Sequence, residues 1–247
     1  MDISIVIPAL NESLKIAFDI EMAAAFLQGN NFQGEIIVVD DGSTDGTDKV
    51  AKSVKMPPSV KLKVIRCEQH YGKGYAVRAG VKETSGEYVM FADSGFCVPY
   101  GNALLGLEML KGGTCDIAHG SRKLIESDIQ LDQPWHRRIS SAVFKWLIKK
   151  FMQIPAELTD TQCGFKIYKG EIARQLYSQC ISDGFMFDIE IILRAQKQGY
   201  RIKEFPIEWT CDLDSRLKLS RTPWPVFSEL RVIKKALKDS KIPRAKT

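Results

Sequence analysis

Glu35-Ile36-Ile37-Val38-Val39-Asp40-Asp41-Gly42-Ser43-Thr44-Asp45-Gly46-Thr47 is the stretch from which the fold can be read. An apolar, β-branched run ends in two carboxylates, and glycines and hydroxyls follow at once. The run reads as a buried strand and the Gly/Ser/Thr/Asp cluster as a turn. A helix follows over 46–54, with Asp45 or Ser43 available to cap it. The same rhythm extends to both sides. Residues 3–7, 62–66, 88–92 and 115–119 read as strands, and 12–27, 73–83 and 100–111 as helices. Strands alternating with helices over short links predict an α/β fold with a mostly parallel sheet flanked by helices on both faces.

After residue 120 the rhythm changes. A loop over 122–134 precedes a basic amphipathic segment at 135–154. A turn-rich stretch (160–169), helices at 171–179 and 187–198, and a strand at 201–208 come next. This predicts a single domain over 1–222, including a basic interfacial helix at 135–153. A basic amphipathic helix and tail follow over 223–247.

Composition narrows the class. The 247 residues are 45% hydrophobic and 26% charged, which excludes a disordered chain, a collagen-like repeat and a coiled coil. The net charge of +5 is concentrated. Residues 231–247 carry seven Lys and Arg against one acid, and 134–150 carry five against none. Two basic segments on a mildly acidic body are not the broad basic face of a nucleic-acid binder, so no nucleic-acid partner is expected. They suit an anionic membrane surface, where each basic residue contributes about 1 kcal/mol. Six scattered Cys and three separated His show no zinc spacing. No apolar run approaches the roughly 20 residues of a spanning helix. The N-terminus runs straight into a strand. The expected setting is cytoplasmic and reducing, with peripheral attachment to the cytoplasmic face of a membrane or through an anchoring partner.

Acidic or amide residues follow three strands: Asn11-Glu12, Asp40-Asp41 and Asp93. Ligands of an open α/β sheet bind beyond the carboxyl ends of the strands. One Asp after a strand is ordinarily a cap or turn former. Several carboxylates brought to one rim repel unless a cation or a donor-rich ligand relieves them.

The runs Ile7-Pro8-Ala9-Leu10-Asn11-Glu12, Asp40 to Thr47 and Gly72-Lys73-Gly74 resemble the family 2 inverting glycosyltransferases. Asp160-Thr161-Gln162-Cys163-Gly164-Phe165-Lys166, Phe187-Asp188-Ile189-Glu190 and Pro206-Ile207-Glu208-Trp209 are most similar to the polyprenyl-phosphate branch. Within it the likeness is to dolichyl-phosphate β-glucosyltransferases, with dolichyl-phosphate mannose synthases nearby. The resemblance covers roughly residues 2–225 and implies a nucleotide-diphospho-sugar transferase fold of the GT-A type. It implies that Pro8, Ala9, Asn11, Glu12, Asp40 and Asp41 hold the nucleoside of the donor. Lys73, Asp93 and Ser94 would face its diphosphate and sugar. Arg122, Gln162, Asp188, Ser215 and Arg216 would meet the acceptor phosphate or the sugar, with Asp93, Arg122 and Asp160 as the catalytic set. Plainer readings stand beside these. Lys73 and Arg78 also suit a solvated helix face, Asp188 and Glu190 a helix N-terminus, and Trp209 the core.

The chain departs from the family at Asp93-Ser94-Gly95-Phe96-Cys97. The family carries Asp-x-Asp here and binds a divalent cation, so Mg²⁺ or Mn²⁺ on Asp93 is the expectation, with glycine in place of the second ligand. Three readings stay open: a cation held by Asp93 with help from elsewhere, basic side chains in its place, or lost activity. The implied reaction is UDP-glucose plus polyprenyl phosphate, giving a polyprenyl-phosphate β-glucoside. GDP-mannose as donor, a soluble acceptor, and a non-catalytic nucleotide-sugar-binding protein are the alternatives.

Overall fold

The computed structural model describes residues 1–129, 150–210 and 224–239. Its elements run β1 (Ile3–Ala9), α1 (Ile16–Gly29), β2 (Gly34–Asp40), α2 (Thr47–Ser53), β3 (Val60–Arg66), α3 (Lys73–Lys82), β4 (Tyr88–Ala92), α4 (Ala103–Lys111), β5 (Ile117–Ser121) and β6 (Asp128–Ile129). Then come β7 (Phe165–Lys169), α5 (Gly170–Ser178), α6 (Phe187–Lys197), β8 (Ile202–Pro206), β9 (Glu208–Trp209) and α7 (Trp224–Asp239).

Seven strands form one sheet in the order β3-β2-β1-β4-β7-β5-β8, and β6 pairs with β9. Every pair in the large sheet is parallel except those that β7 makes with β4 and β5. β1 is buried along its whole length because helices cover both faces. Its alternate residues face opposite layers. Ile3, Ile5 and Ile7 join α1 and α4, whereas Val6 meets Val77 and Val81 of α3 together with α5 and α6. From β1 the chain winds outward to β2 and β3, then α3 carries it back to β4 on the other side of β1. The direction reverses between β1 and β4, the switch point beyond whose carboxyl ends an open α/β sheet binds its ligand.

The antiparallel strand β7 corrects the reading of 160–169 as turn-rich throughout. Its sequence, Phe-Lys-Ile-Tyr-Lys, hides a central strand behind Lys166, which is 1% exposed and ion-paired with the buried Asp188. Such a pair tolerates burial, but removing one partner of it typically costs about 3–5 kcal/mol. The strand expected over 201–208 divides into β8 and β9. α2 starts after Gly46, whose φ of 86° suits glycine, while Asp45 accepts the Thr47 N–H.

α7 is docked on the domain. Its Leu230 and Ile233 are buried with Ile189 and Ile192 of α6 and with Met152 and Ile154. Part of the apolar stripe that could have faced a bilayer is therefore core, and Arg231, Lys235 and Lys238 form an exposed basic edge. The expected interfacial helix lies outside the described residues up to 149, as do Ser215, Arg216 and the tail after 239. Among the described residues, no helix is long and apolar enough to cross a membrane.

Candidate active site

The loops after β1 and β2 are stitched together by short polar side chains. The Asn11 N–H donates to Ser43 Oγ at 2.7 Å and the Thr44 N–H to Asn11 Oδ1 at 2.8 Å. The Glu12 N–H reaches Thr47 Oγ1 at 2.8 Å and the Ser13 N–H reaches Asp45 Oδ2 at 3.0 Å. Asn11 holds φ at 48°, in the left-handed region that Asn tolerates. Pro8 and Ala9 are buried at the end of β1, and Glu12 is half-buried.

The paired acids divide their work. Asp41 accepts the N–H groups of Tyr71 and Gly72 at 2.9 Å each and meets His70 Nδ1 at 2.6 Å. It thereby fixes the loop that delivers Lys73. Asp40 Oδ1 accepts the Ser43 N–H at 2.9 Å, while its buried Oδ2 has no hydrogen-bond partner.

Lys73 opens α3 directly across from Asp93, which follows β4. Its ammonium lies 2.7 Å from Asp93 Oδ1 and 2.8 Å from Oδ2. Burial pulls the Lys73 pKa down, but the Asp93 and Asp188 carboxylates outweigh it and hold the pKa above the ordinary lysine value. Asp93 is fixed in turn by its own N–H, which donates to Gly164 O at 2.8 Å, and its carboxylate lies against Gly164 where a Cβ would be. Ser94 and Gln162 are half-buried beside this point.

Arg122 follows β5 and is gripped by Asp160. Nε donates to Oδ2 at 2.6 Å and Nη2 to Oδ1 at 2.8 Å, a bidentate fork. The guanidinium also lies over the Trp209 ring, 5.3 Å from its centroid. Asp160 is 1% exposed, so it orients Arg122 from beneath, and the Asp160 N–H is itself held by Glu204 at 2.6 Å. The side chain of Arg122 remains 24% exposed. Cys163 is buried between these charges, and desolvation pushes its thiol up to about 12, so it is an inert thiol.

The structure therefore brings Lys73, Asp93, Arg122 and Asp160 to one rim, with Asp188 behind them. Arg78 is drawn elsewhere, to Cys180 O at 3.1 Å and Asp183 at 2.5 Å. Glu190 accepts the Ile181 and Ser182 N–H groups and pairs with Arg194, which gives it a structural role. Asp19 and Glu204 escaped the sequence reading. Asp19 lies on the inward stripe of α1 with Ile16, Ile20 and Ala23, and an acid on that stripe was the available signal.

Asp19 accepts the Gly95 N–H at 2.9 Å and so supports the loop that carries Asp93. Desolvation raises its pKa to about 7, against the opposing N–H groups of Gly95 and Phe96. Between the ordinary carboxylate value and about 7, the folded chain keeps a proton that the unfolded chain has released. Stability should therefore fall as pH rises through this window, by up to about 4 kcal/mol, and level off above it. Asp19→Asn keeps the acceptor and removes the titration. Thermal melts from mildly acidic to mildly alkaline pH should show the variant gaining on the parent as pH rises. A pH-independent difference would contradict this.

A divalent cation prefers several hard oxygen ligands. Here the motif supplies Asp93 alone, its carboxylate is ion-paired with the Lys73 ammonium, residue 95 has no side chain, and residue 97 is Cys. Among the described residues, no group of three or more His, Cys, Asp or Glu is placed to hold a metal. The side chains expected to hold Mg²⁺ or Mn²⁺ do not fit it.

The profile of glycosyl transferase family 2 matches residues 4–177. Human dolichyl-phosphate β-glucosyltransferase is 31% identical over 84% of this chain and 67% of its own length. The Dictyostelium discoideum enzyme of the same name is 29% identical over 84% of this chain and 66% of its own. The chain thus spans about two thirds of the length of these relatives. Among solved structures, glucosyl-3-phosphoglycerate synthase from Mycobacterium tuberculosis, in complex with Mn²⁺ and UDP-glucose, superposes with a TM-score of 0.65. It covers 99% of this chain and 80% of its own at 21% identity.

Proposed function

Since the chain belongs to glycosyl transferase family 2 and has the GT-A fold of its glycosyltransferases, we propose that it transfers glucose from UDP-glucose to a polyprenyl phosphate with inversion. The observation that carries this reading is the likeness to dolichyl-phosphate β-glucosyltransferases over 84% of the chain. The geometry supports it with two cations at the crevice, Lys73 and Arg122, each held by a carboxylate.

The nucleoside lies against the loops after β1 and β2, lined by Pro8, Ala9, Asn11 and Glu12. The uracil N–H is assigned to Asp40, whose buried Oδ2 has no hydrogen-bond partner and is reached once the loop over it shifts. Asp41 shapes the loop beneath. Asp93 and Ser94 face the sugar and diphosphate. An oxygen of the acceptor phosphate attacks the anomeric carbon in line. The bond from that carbon to the diphosphate oxygen breaks, and UDP departs with the electron pair. The attacking oxygen is already an anion at neutral pH, so no general base is required. Negative charge grows on the leaving diphosphate and must meet fixed positive charge. Arg122 offers a fork matched to phosphate, pre-oriented by Asp160 and Trp209, and Gln162 borders the same opening. Asp188 acts from behind, through Lys166 and the field it places on Lys73. Ser215 and Arg216 belong to the acceptor side in this reading. The basic edge of α7 suits an anionic membrane surface that presents the lipid, with or without an anchoring partner.

The test offers labelled UDP-glucose or GDP-mannose with polyprenyl phosphate in anionic or neutral vesicles. Label should enter the lipid fraction from UDP-glucose, and faster from anionic vesicles. Labelling from GDP-mannose alone would overturn the donor assignment. Equal rates in both vesicle types would overturn the electrostatic docking.

A further inference from the structure

We propose that the Lys73 ammonium, held on Asp93, takes the place of a divalent cation at the donor diphosphate, so that this chain binds and uses its donor without metal. This rests on the reading of the crevice as a nucleotide-sugar site.

Three observations carry it. First, the ammonium donates to Asp93 Oδ2 at 2.8 Å and lies 2.7 Å from Oδ1, which is where a cation on that carboxylate would be held. A metal there would have to displace the ammonium, and it would find no second carboxylate, since residue 95 is glycine. The Gly95 backbone is engaged as well, because its N–H is bound to Asp19 at 2.9 Å and its φ of 94° disfavours any side chain. Second, Lys73 is built into place. The loop before it is pinned by three contacts to Asp41, and Nζ lies over the Phe91 ring, 5.4 Å from the centroid. Gly74, the next residue, sits against Ser182 O and Phe187 with no room for a side chain, so α3 enters close to the 182–187 loop. Third, Lys73 is supported from behind by Asp188, a carboxylate at the centre of the domain. A lysine whose charge is needed only for solubility has no reason to be paired with one acid and set in the field of a second. A held ammonium with 21% of its side chain exposed presents fixed positive charge to the crevice. A phosphate bound beside it needs no metal to meet its charge.

The experiment measures binding of UDP and of GDP to the full chain by calorimetry, in EDTA and in excess Mg²⁺ or Mn²⁺. It then repeats the series with Lys73→Gln and Lys73→Arg. Expected is a UDP affinity in EDTA within about twofold of that with metal. Lys73→Gln should lower it by about tenfold to a hundredfold in both conditions, as for one lost charge-assisted hydrogen bond, and Lys73→Arg should restore most of it. Transfer should run undiminished in EDTA. If metal tightens wild-type binding tenfold or more, or if Lys73→Gln binds as the parent does, the inference is overturned while the donor reading stands. The wild-type response to metal decides the matter even if the glutamine variant folds poorly. Binding of neither nucleotide in any condition would overturn the donor reading and this inference together.

Discussion

Arg122→Ala is expected to reduce transfer on the order of 100-fold or more and to weaken the fold at the same time. The loss of rate follows from the mechanism, in which a guanidinium meets charge that develops at the reacting phosphates. Removing one such donor typically costs 10²–10³ in kcat. The loss of stability has a separate cause. Asp160 is 1% exposed, and both of its oxygens are spent on Arg122. Without the guanidinium a buried carboxylate loses two charge-assisted hydrogen bonds and keeps the residue 122 N–H at 3.2 Å, a cost on the order of the 3–5 kcal/mol typical of a broken buried pair. The two effects can be separated. In the double variant Arg122→Ala, Asp160→Asn the buried charge is gone, so the thermal midpoint should recover in large part while transfer stays low. If the double variant regains both, Arg122 is a structural residue. If Arg122→Ala alone keeps transfer within a few-fold of the parent, the guanidinium does not meet the reacting groups.

Gly164→Ala is expected to cost a comparable share of activity with much less stability. The position looks innocuous, yet an added Cβ would collide with the carboxylate of Asp93. Asp93 cannot slide away as a unit, because its own N–H is bound to Gly164 O at 2.8 Å. The side chain must therefore rotate, and its hold on Lys73 breaks. A displacement of about 1 Å at a reacting centre can cost on the order of 10²-fold. The measurement pairs steady-state kinetics with a thermal melt. A hundredfold fall in kcat/KM with a midpoint within a few degrees of the parent would support Asp93 as the pivot of the site. Unchanged kinetics would remove Asp93 and its lysine from the catalytic centre.

How much of this could be read from the sequence depends on what each residue signals locally. β1, β2, β3 and β4 announce themselves as apolar runs closed by turn residues, and acids after three of them mark the rim. Lys73, Asp93, Arg122 and Asp160 were legible as motif positions. Their pairing was not, because Lys73 meets Asp93 and Arg122 meets Asp160 only through the crossing order of the sheet. β7 was missed because a lysine is its second residue, and Asp188, far along the chain, together with Thr161 O makes that lysine tolerable in the core. Asp19 was missed because a helical acid reads as solvated until the packing of α1 places it under Gly95. The apolar stripe of α7 suits a membrane interface and a packed core alike. Half of the question lay in α6, whose Ile189 and Ile192 cover part of that stripe.

Inverting transfer onto a lipid phosphate fixes the anomeric configuration of the product, which can be measured. Polyprenyl phosphate and UDP-glucose, which carries an α-linked sugar, are incubated with the full chain, and the glucolipid is analysed by proton NMR while UDP is measured alongside. A β-linked glucosyl phosphodiester formed in equal amount with UDP is expected. An α-linked product, or UDP released with no glucolipid, would contradict it.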